Sequence, residues 1–214
     1  MNASSPLRTV SPRRYSGFEL PTCAGRAMLG FTLLELMVVM AIIAILTALA
    51  VPSLSRLVQT NTMSSAVNTY LADQRFARSE SIRRGGGVVM CRSDDPEAAN
   101  PVCKTTSGPG GNGWVSGWLV FLDMNNNGDK EPGDLLLRVQ SPMTRMGAIT
   151  EGDGTSSSKF RFTATGRLLD ASSATSLKFG GAQYPSDVQR VVCINPGGRA
   201  RIAGNGTVSC GTDN

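Results

Sequence analysis

Residues 30–52 read GFTLLELMVVMAIIAILTALAVP, and this stretch decides the fold of the chain. From Phe31 to Val51 the run contains a single charged side chain, Glu35, and Pro52 follows it. An apolar run of about 20 residues is long enough to cross a bilayer as a helix. A carboxylate in the middle of such a helix costs roughly 2.5–3.5 kcal/mol on insertion scales. Glu35 therefore predicts a partner that compensates its charge.

The apolar run differs from a secretory signal peptide, because it is too long. The arginines of the first 30 residues all precede the run: Arg8, Arg13, Arg14 and Arg26. By the positive-inside rule, the N-terminus stays in the cytoplasm and the chain after Pro52 lies outside. A simple signal anchor is the alternative explanation of this pattern.

The Gly30-Phe31 junction followed by Glu35 resembles the class III signal of type IV pilins and pseudopilins. In that family a prepilin peptidase cuts after the glycine and the new N-terminal phenylalanine is N-methylated. The glutamate pairs with the N-terminal amine of a neighbouring subunit in the filament. The resemblance implies that residues 1–30 are a cytoplasmic leader and that residues 31–52 form a membrane and filament-core helix. It also implies a single-pass inner-membrane protein with a periplasmic C-terminal domain, which then enters a pilus or pseudopilus.

Charge and cysteine content limit the functional classes. Without the leader, 17 basic side chains (21 less four) and 15 acidic ones (16 less one) remain, so the chain is no bulk polycation. The absence of histidine removes Ser-His-Asp and Cys-His catalysis.

Cys23 falls in the leader, and the four exported cysteines allow three disulfide pairings. We favour the local pairs Cys91–Cys103 and Cys193–Cys210, because each closes a loop that contains Gly or Pro.

A helical pattern continues over residues 53–84. Its apolar positions recur with a period of about 3.6 and are Leu54, Leu57, Val58, Ala66, Val67, Tyr70, Leu71 and Ala77. The other positions are largely polar or charged, including Asp73, Arg75 and Arg78. Three glycines after Arg84 predict that the helix ends there.

Beyond Gly87, short runs rich in β-branched and aromatic residues alternate with Gly, Pro, Ser and Asn, which predicts strands. The candidates are Val88–Arg92, Trp118–Leu122, Leu135–Val139, Lys159–Phe162, Ser176–Phe179 and Gln189–Ile194, with a final hairpin marked by Ile202 and Val208. Residues 104–113 and 151–158 are predicted to be mobile surface loops. The expected fold class is α+β. A long N-terminal helix, half in the membrane and half packed, carries an antiparallel β-sandwich-like domain at residues 85–214.

Three segments are similar to the GspH/FimT family of minor pseudopilins: LADQRFARSESIRRG at 71–85, GWLVFLDMNNNGDKEPGDLLLR at 117–138 and FTATGR at 162–167. The resemblance covers residues 30–202. It implies that the globular part is a β-sandwich packed on the N-terminal helix. It also implies a structural subunit and not an enzyme, assembled with other major and minor pilins or pseudopilins.

Residues 197–202 read GGRARI and contain a basic motif at Gly198, Arg199 and Arg201. FimT-type minor pilins that bind DNA during natural transformation carry Gly-Arg-x-Arg at this place. Alternate arginines on an extended segment point to one side about 7 Å apart, and guanidinium groups bind phosphate without reading sequence. Three further basic residues are candidates for extending the patch: Arg167, Lys178 and Arg190. The motif predicts contact with double-stranded DNA through backbone phosphates; the alternative is two solvated arginines on an edge strand.

Residues 123–134, DMNNNGDKEPGD, match the offsets of an EF-hand-type calcium loop. The matching side chains are Asp123, Asn125, Asn127, Asp129, Glu131 and Asp134. Asp134 stands where a bidentate glutamate is usual, and strand residues flank the loop in place of helices. We favour a polar hairpin connection in which Asn and Gly supply left-handed conformations. Calcium is the one cofactor that the sequence suggests.

Trp114 and Trp118 flank Gly117 and are candidates for a base-stacking platform. Trp118 alternates with Val120 in a predicted strand, so we expect at least this ring in the core.

Two structural functions lead the hypotheses. One is a minor pilin of a type IV pilus with FimT-like DNA binding, and the other is a GspH-type minor pseudopilin of the type II protein secretion system. An exported enzyme on a signal anchor and a calcium-dependent adhesin are remote alternatives. The enzyme hypothesis lacks a nucleophile motif, and the adhesin hypothesis depends on residues 123–134 alone.

Overall fold

The computed structural model describes residues 30–104, 108–152, 158–169, 171 and 175–211. The predicted leader up to residue 29 and parts of both predicted loops, residues 105–107 and 153–157, lie outside this part of the chain. The chain divides into two units, Met1–Leu46 and Thr47–Asn214.

One long helix, α1, spans Leu33–Arg84 and ends at the predicted residue. Thr32 caps its beginning, because the Thr32 hydroxyl oxygen accepts the Glu35 N–H at 3.2 Å and so satisfies one of the first unpaired backbone donors. Gly85 takes a φ of 82° directly after the last helical residue, a conformation that favours glycine. By length and composition α1 is able to cross a membrane, and none of its most apolar window is buried.

The packed face of α1 begins later than its periodicity predicts. The core reaches along α1 only as far as Met63, and the buried apolar positions are Met63, Ala66, Val67, Tyr70, Leu71 and Ala77. The prediction is wrong for the first three positions of the stripe, Leu54, Leu57 and Val58, which are more than half exposed. They lie before the covered part of α1 and continue the exposed apolar surface of its N-terminal half.

Eight strands of the described residues form two four-stranded antiparallel sheets. In chain order they are β1 Val88–Arg92, β2 Trp118–Leu122, β3 Leu135–Gln140, β4 Ala148–Glu151, β5 Lys159–Phe162, β6 Thr175–Gly180, β7 Arg190–Ile194 and β8 Ala200–Gly204. The first sheet has the order β3-β2-β1-β5, and the second has the order β4-β6-β7-β8. The α+β class, with one long helix before antiparallel sheets, is confirmed.

Three local predictions about the domain are wrong. Strand β4 has no clear sequence signal and is stabilised by its pairing with β6, in which Ile149 lies opposite Phe179. Val208 lies outside the strands, because the chain turns at Asn205 after β8. The predicted loop 104–113 ends in contact with the domain, since Gly113 is buried and bridges to Ile149.

Helix α1 and both sheets share one hydrophobic core. Tyr70 lies at its centre, with edge contacts to Trp114, Trp118 and Phe179 at centroid distances of 5.5–5.8 Å. Both tryptophans are 0% exposed, so the base-stacking role suggested for them is wrong and the core position of Trp118 is confirmed. Burial raises the pKa of the Tyr70 phenol well above its usual value.

Asp73 of α1 is also buried, although the helical pattern put it on the polar side. Its carboxylate accepts the Trp118 Nε1–H at 2.8 Å and an N–H of Arg138 at 2.5 Å. A buried carboxylate is tolerated when donors of this kind satisfy it, so Asp73 ties α1 to β2 and β3.

Both favoured disulfides are formed. Cys91–Cys103 encloses a sequence separation of 12 residues. Cys193–Cys210 encloses 17 and ties the segment after β8 to β7.

Candidate nucleic-acid interface

Arg199 and Arg201 lie on the hairpin that joins β7 to β8. Its turn is closed by backbone bonds between Asn195 and Arg199 (3.0 Å) and from the Gly198 N–H to the Asn195 carbonyl (2.8 Å). The Asn195 side-chain oxygen also accepts the Arg199 N–H at 3.0 Å. Arg201 is in register with Cys193 on β7. Both arginine side chains are exposed, so the hairpin holds two cations at the surface on a hydrogen-bonded backbone.

Gly198 is required by a close approach between two turns. It has a φ of 73°, and a Cβ atom at this position would lie 2.1 Å from the Gly166 carbonyl oxygen. Gly166 belongs to the turn between Thr163 and Arg167, in which the Thr163 N–H donates to the Arg167 carbonyl at 2.8 Å. Arg167 is exposed, so this contact brings a third arginine to the same region.

Side chains of α1 anchor both turns. The Gln74 amide nitrogen donates to the Gly198 carbonyl at 3.2 Å, and Arg78 Nε donates to the Gly166 carbonyl at 2.9 Å. The hairpin turn and the 163–167 turn are therefore fixed against the same stretch of helix.

Two cavities meet at Arg199. One of about 320 Å³ separates α1 from the hairpin and is lined by Gln74, Arg75, Arg78, Gly198, Arg199 and Ala200. The other, which we call the hairpin cavity, has a volume of about 340 Å³, lies on the hairpin itself and is lined by Cys193, Asn195, Arg199, Ala200 and Arg201. Arg199 and Ala200 line both cavities, so the two are adjacent.

We call the region that carries these five arginines the basic surface: Arg75, Arg78, Arg167, Arg199 and Arg201. Within the described part of the chain, none of the five forms a salt bridge with an acidic side chain. Guanidinium groups without carboxylate partners attract anions.

Several arginines elsewhere on the domain have acidic partners. Arg83 and Arg84 both bind Glu80, and their hydrogen bonds lower the pKa of that carboxyl from 4.5 to about 2. Arg56 pairs with Asp187, and Arg138 pairs with Asp73. The five arginines of the basic surface differ from these in having no described acidic partner.

Two of the predicted extensions of the patch lie apart from the basic surface. Arg190 uses one guanidinium nitrogen to donate to the carbonyls of Asp187, Val188 and Gln189 at 2.7–3.0 Å, so it closes the turn before β7. Lys178 lies on β6, separated from β8 by β7, and lines neither cavity.

Arg75 and Arg78 are the members of the surface that sequence reasoning missed. The helical pattern put them on a solvated polar side, and their proximity to Arg199 comes from contacts such as Gln74 to Gly198, 124 residues apart. The sequence signal that could have identified them is their spacing of three residues, which puts them on one helix face. This spacing alone does not indicate a ligand.

The 123–134 loop is closed by its own hydrogen bonds. Asp123 accepts the Gly128 N–H, and the two oxygens of Asp134 accept the N–H groups of Met124 and Glu131. Asp129 binds Lys159 at 3.0 Å. In the described residues, no three His, Cys, Asp or Glu side chains come together as metal ligands. This arrangement fits the polar hairpin connection, and calcium binding stays a prediction.

The N-terminal segment and the architecture together define a class, that of the type IV pilin-like proteins. The prokaryotic N-terminal methylation motif matches residues 26–51, which include Gly30, Phe31 and Glu35. The family described as type II transport protein GspH matches residues 66–198. The chain therefore belongs to the GspH family, and it is a minor pilin or pseudopilin anchored by its N-terminal helix.

The chain is similar to fimbrial proteins. The chain is 34% identical over 143 residues to a type IV major fimbrial protein FimA of Dichelobacter nodosus, covering 65% of this chain and 77% of the relative. A fimbrial protein of the same organism is 31% identical over 141 residues, with the same coverage. A crystal structure of the Pseudomonas aeruginosa type IV minor pilin FimU is similar with a TM-score of 0.48 and 18% identity, covering 66% of this chain and 88% of that one.

Proposed function

We propose that this chain is a minor pilin of a type IV pilus that binds double-stranded DNA during natural transformation. The observation that carries the proposal is the basic surface, where Arg199 and Arg201 are exposed beside three other arginines without a described acidic partner. Arginine binds phosphate through charge-assisted, often bidentate hydrogen bonds. Such contacts position DNA and carry no sequence information.

The absence of exposed rings supports phosphate contact over base stacking. Among the described residues from 47 to 211, every aromatic side chain is buried or half-buried. Proteins that hold single strands use exposed aromatic side chains on which bases stack. We therefore expect the basic surface to favour duplex DNA and to bind it without sequence preference.

The test is DNA binding by the full chain in detergent micelles, with Arg199→Gln and Arg201→Gln combined. We expect the affinity for a short duplex at low salt to fall by at least about tenfold, and the slope of log K against log salt to fall by about 1.8, because about 0.9 is lost per phosphate contact. A charge-matched control combines Arg83→Gln and Arg145→Gln, which lie outside both cavities. Equal binding by the two double variants would exclude the hairpin as the DNA site.

A GspH-type minor pseudopilin of the type II secretion system is the second candidate function. The match of residues 66–198 to the type II transport protein GspH favours it. Deletion of the gene distinguishes the two functions. A loss of transformation with normal protein secretion supports the pilus, and the opposite result supports the secretion system.

Assembly follows from the N-terminus in either machine. We propose that a prepilin peptidase removes residues 1–30 and that the new amine of Phe31 pairs with Glu35 of a neighbouring subunit. A cationic amine is a suitable partner for a carboxylate held away from water. The basic leader would remain in the cytoplasm, and the β-rich domain would lie outside.

A further inference from the structure

The cavity of about 320 Å³ between α1 and the β7–β8 hairpin has the composition of an anion site. Three of its six lining residues are arginines, Arg75, Arg78 and Arg199, and none of the six is acidic. We call it the helix cleft. Two of its arginines come from α1 and lie outside the Gly-Arg-x-Arg motif.

The two helix arginines have donors available for a ligand. Arg75 is exposed. Arg78 uses its Nε to hold the Gly166 carbonyl at 2.9 Å, so its two terminal nitrogens remain in the fork that suits a phosphate. Residues three apart on a helix share a face, and both side chains therefore line the same side of the cleft.

Buried contacts hold the hairpin wall of the helix cleft at a fixed distance from α1. Gln74 is 0% exposed and binds the Gly198 carbonyl at 3.2 Å, while Gly198 in turn abuts Gly166. The arginine that follows Gly198 is thereby placed across the cleft from Arg75 and Arg78 by buried contacts. A site built before its ligand arrives loses less entropy on binding.

We infer that Arg75 and Arg78 form a second phosphate subsite, and that the DNA backbone runs from the hairpin onto α1. Arg199 lines both the helix cleft and the hairpin cavity, so it lies between the two subsites. Arg201 contributes at one end and the helix arginines contribute at the other. The inference deepens the proposed DNA-binding function and rests on it.

Measurement of DNA binding at several salt concentrations distinguishes the contribution of the helix subsite from that of the Gly-Arg-x-Arg motif. We would measure duplex affinity for the full chain in detergent micelles between about 50 and 200 mM salt, a range over which phosphate contacts change affinity strongly. Arg75→Gln is the test variant, since Arg75 is exposed and holds no described structural contact. Arg145→Gln is its control, because Arg145 is an exposed arginine that lines neither the helix cleft nor the hairpin cavity.

We expect Arg75→Gln to reduce the slope of log K against log salt by about 0.9 and the affinity at low salt by about fivefold to twentyfold. Arg145→Gln should behave as the unmodified chain. If Arg75→Gln also matches the unmodified chain while the Arg199→Gln, Arg201→Gln variant loses binding, the helix subsite is wrong and the DNA-binding function stands. If the unmodified chain binds no duplex at low salt, both are wrong.

Discussion

Position 198 shows how one residue determines the candidate interface. A Cβ there would meet the Gly166 carbonyl oxygen at 2.1 Å, and the φ of 73° disfavours any L side chain. In this motif the glycine serves to bring the hairpin turn against the 163–167 turn, and the arginines are the groups that face solvent. Substitution of the glycine should therefore act through geometry and stability, without changing the charge.

Gly198→Ala should reduce the free energy of unfolding by about 1–3 kcal/mol, the range for a non-glycine residue held in a sparsely populated conformation. The measurement is guanidinium unfolding of the full chain in detergent micelles. Gly133→Ala is the matched control, since a Cβ at Gly133 meets no atom within 4 Å, and its change should stay within about 0.5 kcal/mol. Equal stability of the two variants would contradict the close approach at Gly198.

At the scale of elements, the β7–β8 hairpin is stabilised by a covalent link outside its turn. The Cys193–Cys210 disulfide joins β7 to the segment after β8, and Cys193 lies opposite Arg201 in the ladder. The second disulfide, Cys91–Cys103, links β1 to the segment that follows it. Of these two disulfides, Cys193–Cys210 is the one that bears directly on β8, the strand that presents Arg201.

Replacement of Cys193 and Cys210 by alanine should cost about 3 kcal/mol of stability, as expected for a loop of this length in the chain-entropy model. It should also weaken duplex DNA binding, because β8 loses its link beside Arg201. Replacement of Cys91 and Cys103 is the control and should reduce stability by a similar amount while DNA affinity is retained. If both pairs of substitutions left DNA affinity unchanged, the hairpin would not need this link to bind.

The sequence predicted an element correctly where the residues of that element and its flanks carried the signal. Glycines 85–87 marked the end of α1. The predicted bounds of β1, β2 and β5 matched at both ends because these short runs contain β-branched or aromatic residues and are bounded by polar or turn residues. Strand β4 escaped prediction because its four residues, AITE, become a strand through pairing with β6. Periodicity also placed Asp73 outside, since the pattern does not reveal that Trp118 and Arg138 satisfy it.

The candidate interface was likewise predictable only in part. A contiguous motif indicated Arg199 and Arg201, but the contribution of Arg75 and Arg78 depends on contacts between residues 88 and 124 positions apart. Contacts of this kind are set by the packing of α1 against the hairpin, which no local pattern encodes.

At the scale of the whole molecule, α1 buries apolar side chains such as Met63 and Tyr70 in the core, whereas its N-terminal half leaves its apolar side chains exposed. The most apolar window of α1 has no buried residue, and the exposed apolar side chains continue from Phe31 to Val58. Exposed apolar surface of this extent is costly in water. Lipid before assembly and neighbouring subunits in a filament would both cover it, which is the role that a pilin-like N-terminus serves.

The processing of this N-terminus is the central claim, because only cleavage creates the Phe31 amine that would pair with Glu35. The most direct test is the intact mass of the protein isolated from cells that contain prepilin peptidase, compared with cells that lack the enzyme. We predict that the mature chain begins at Phe31, carries one added methyl group and lacks residues 1–30, and that the peptidase-deficient cells retain them. Mature protein that still carries residues 1–30 in the presence of the peptidase would contradict the account.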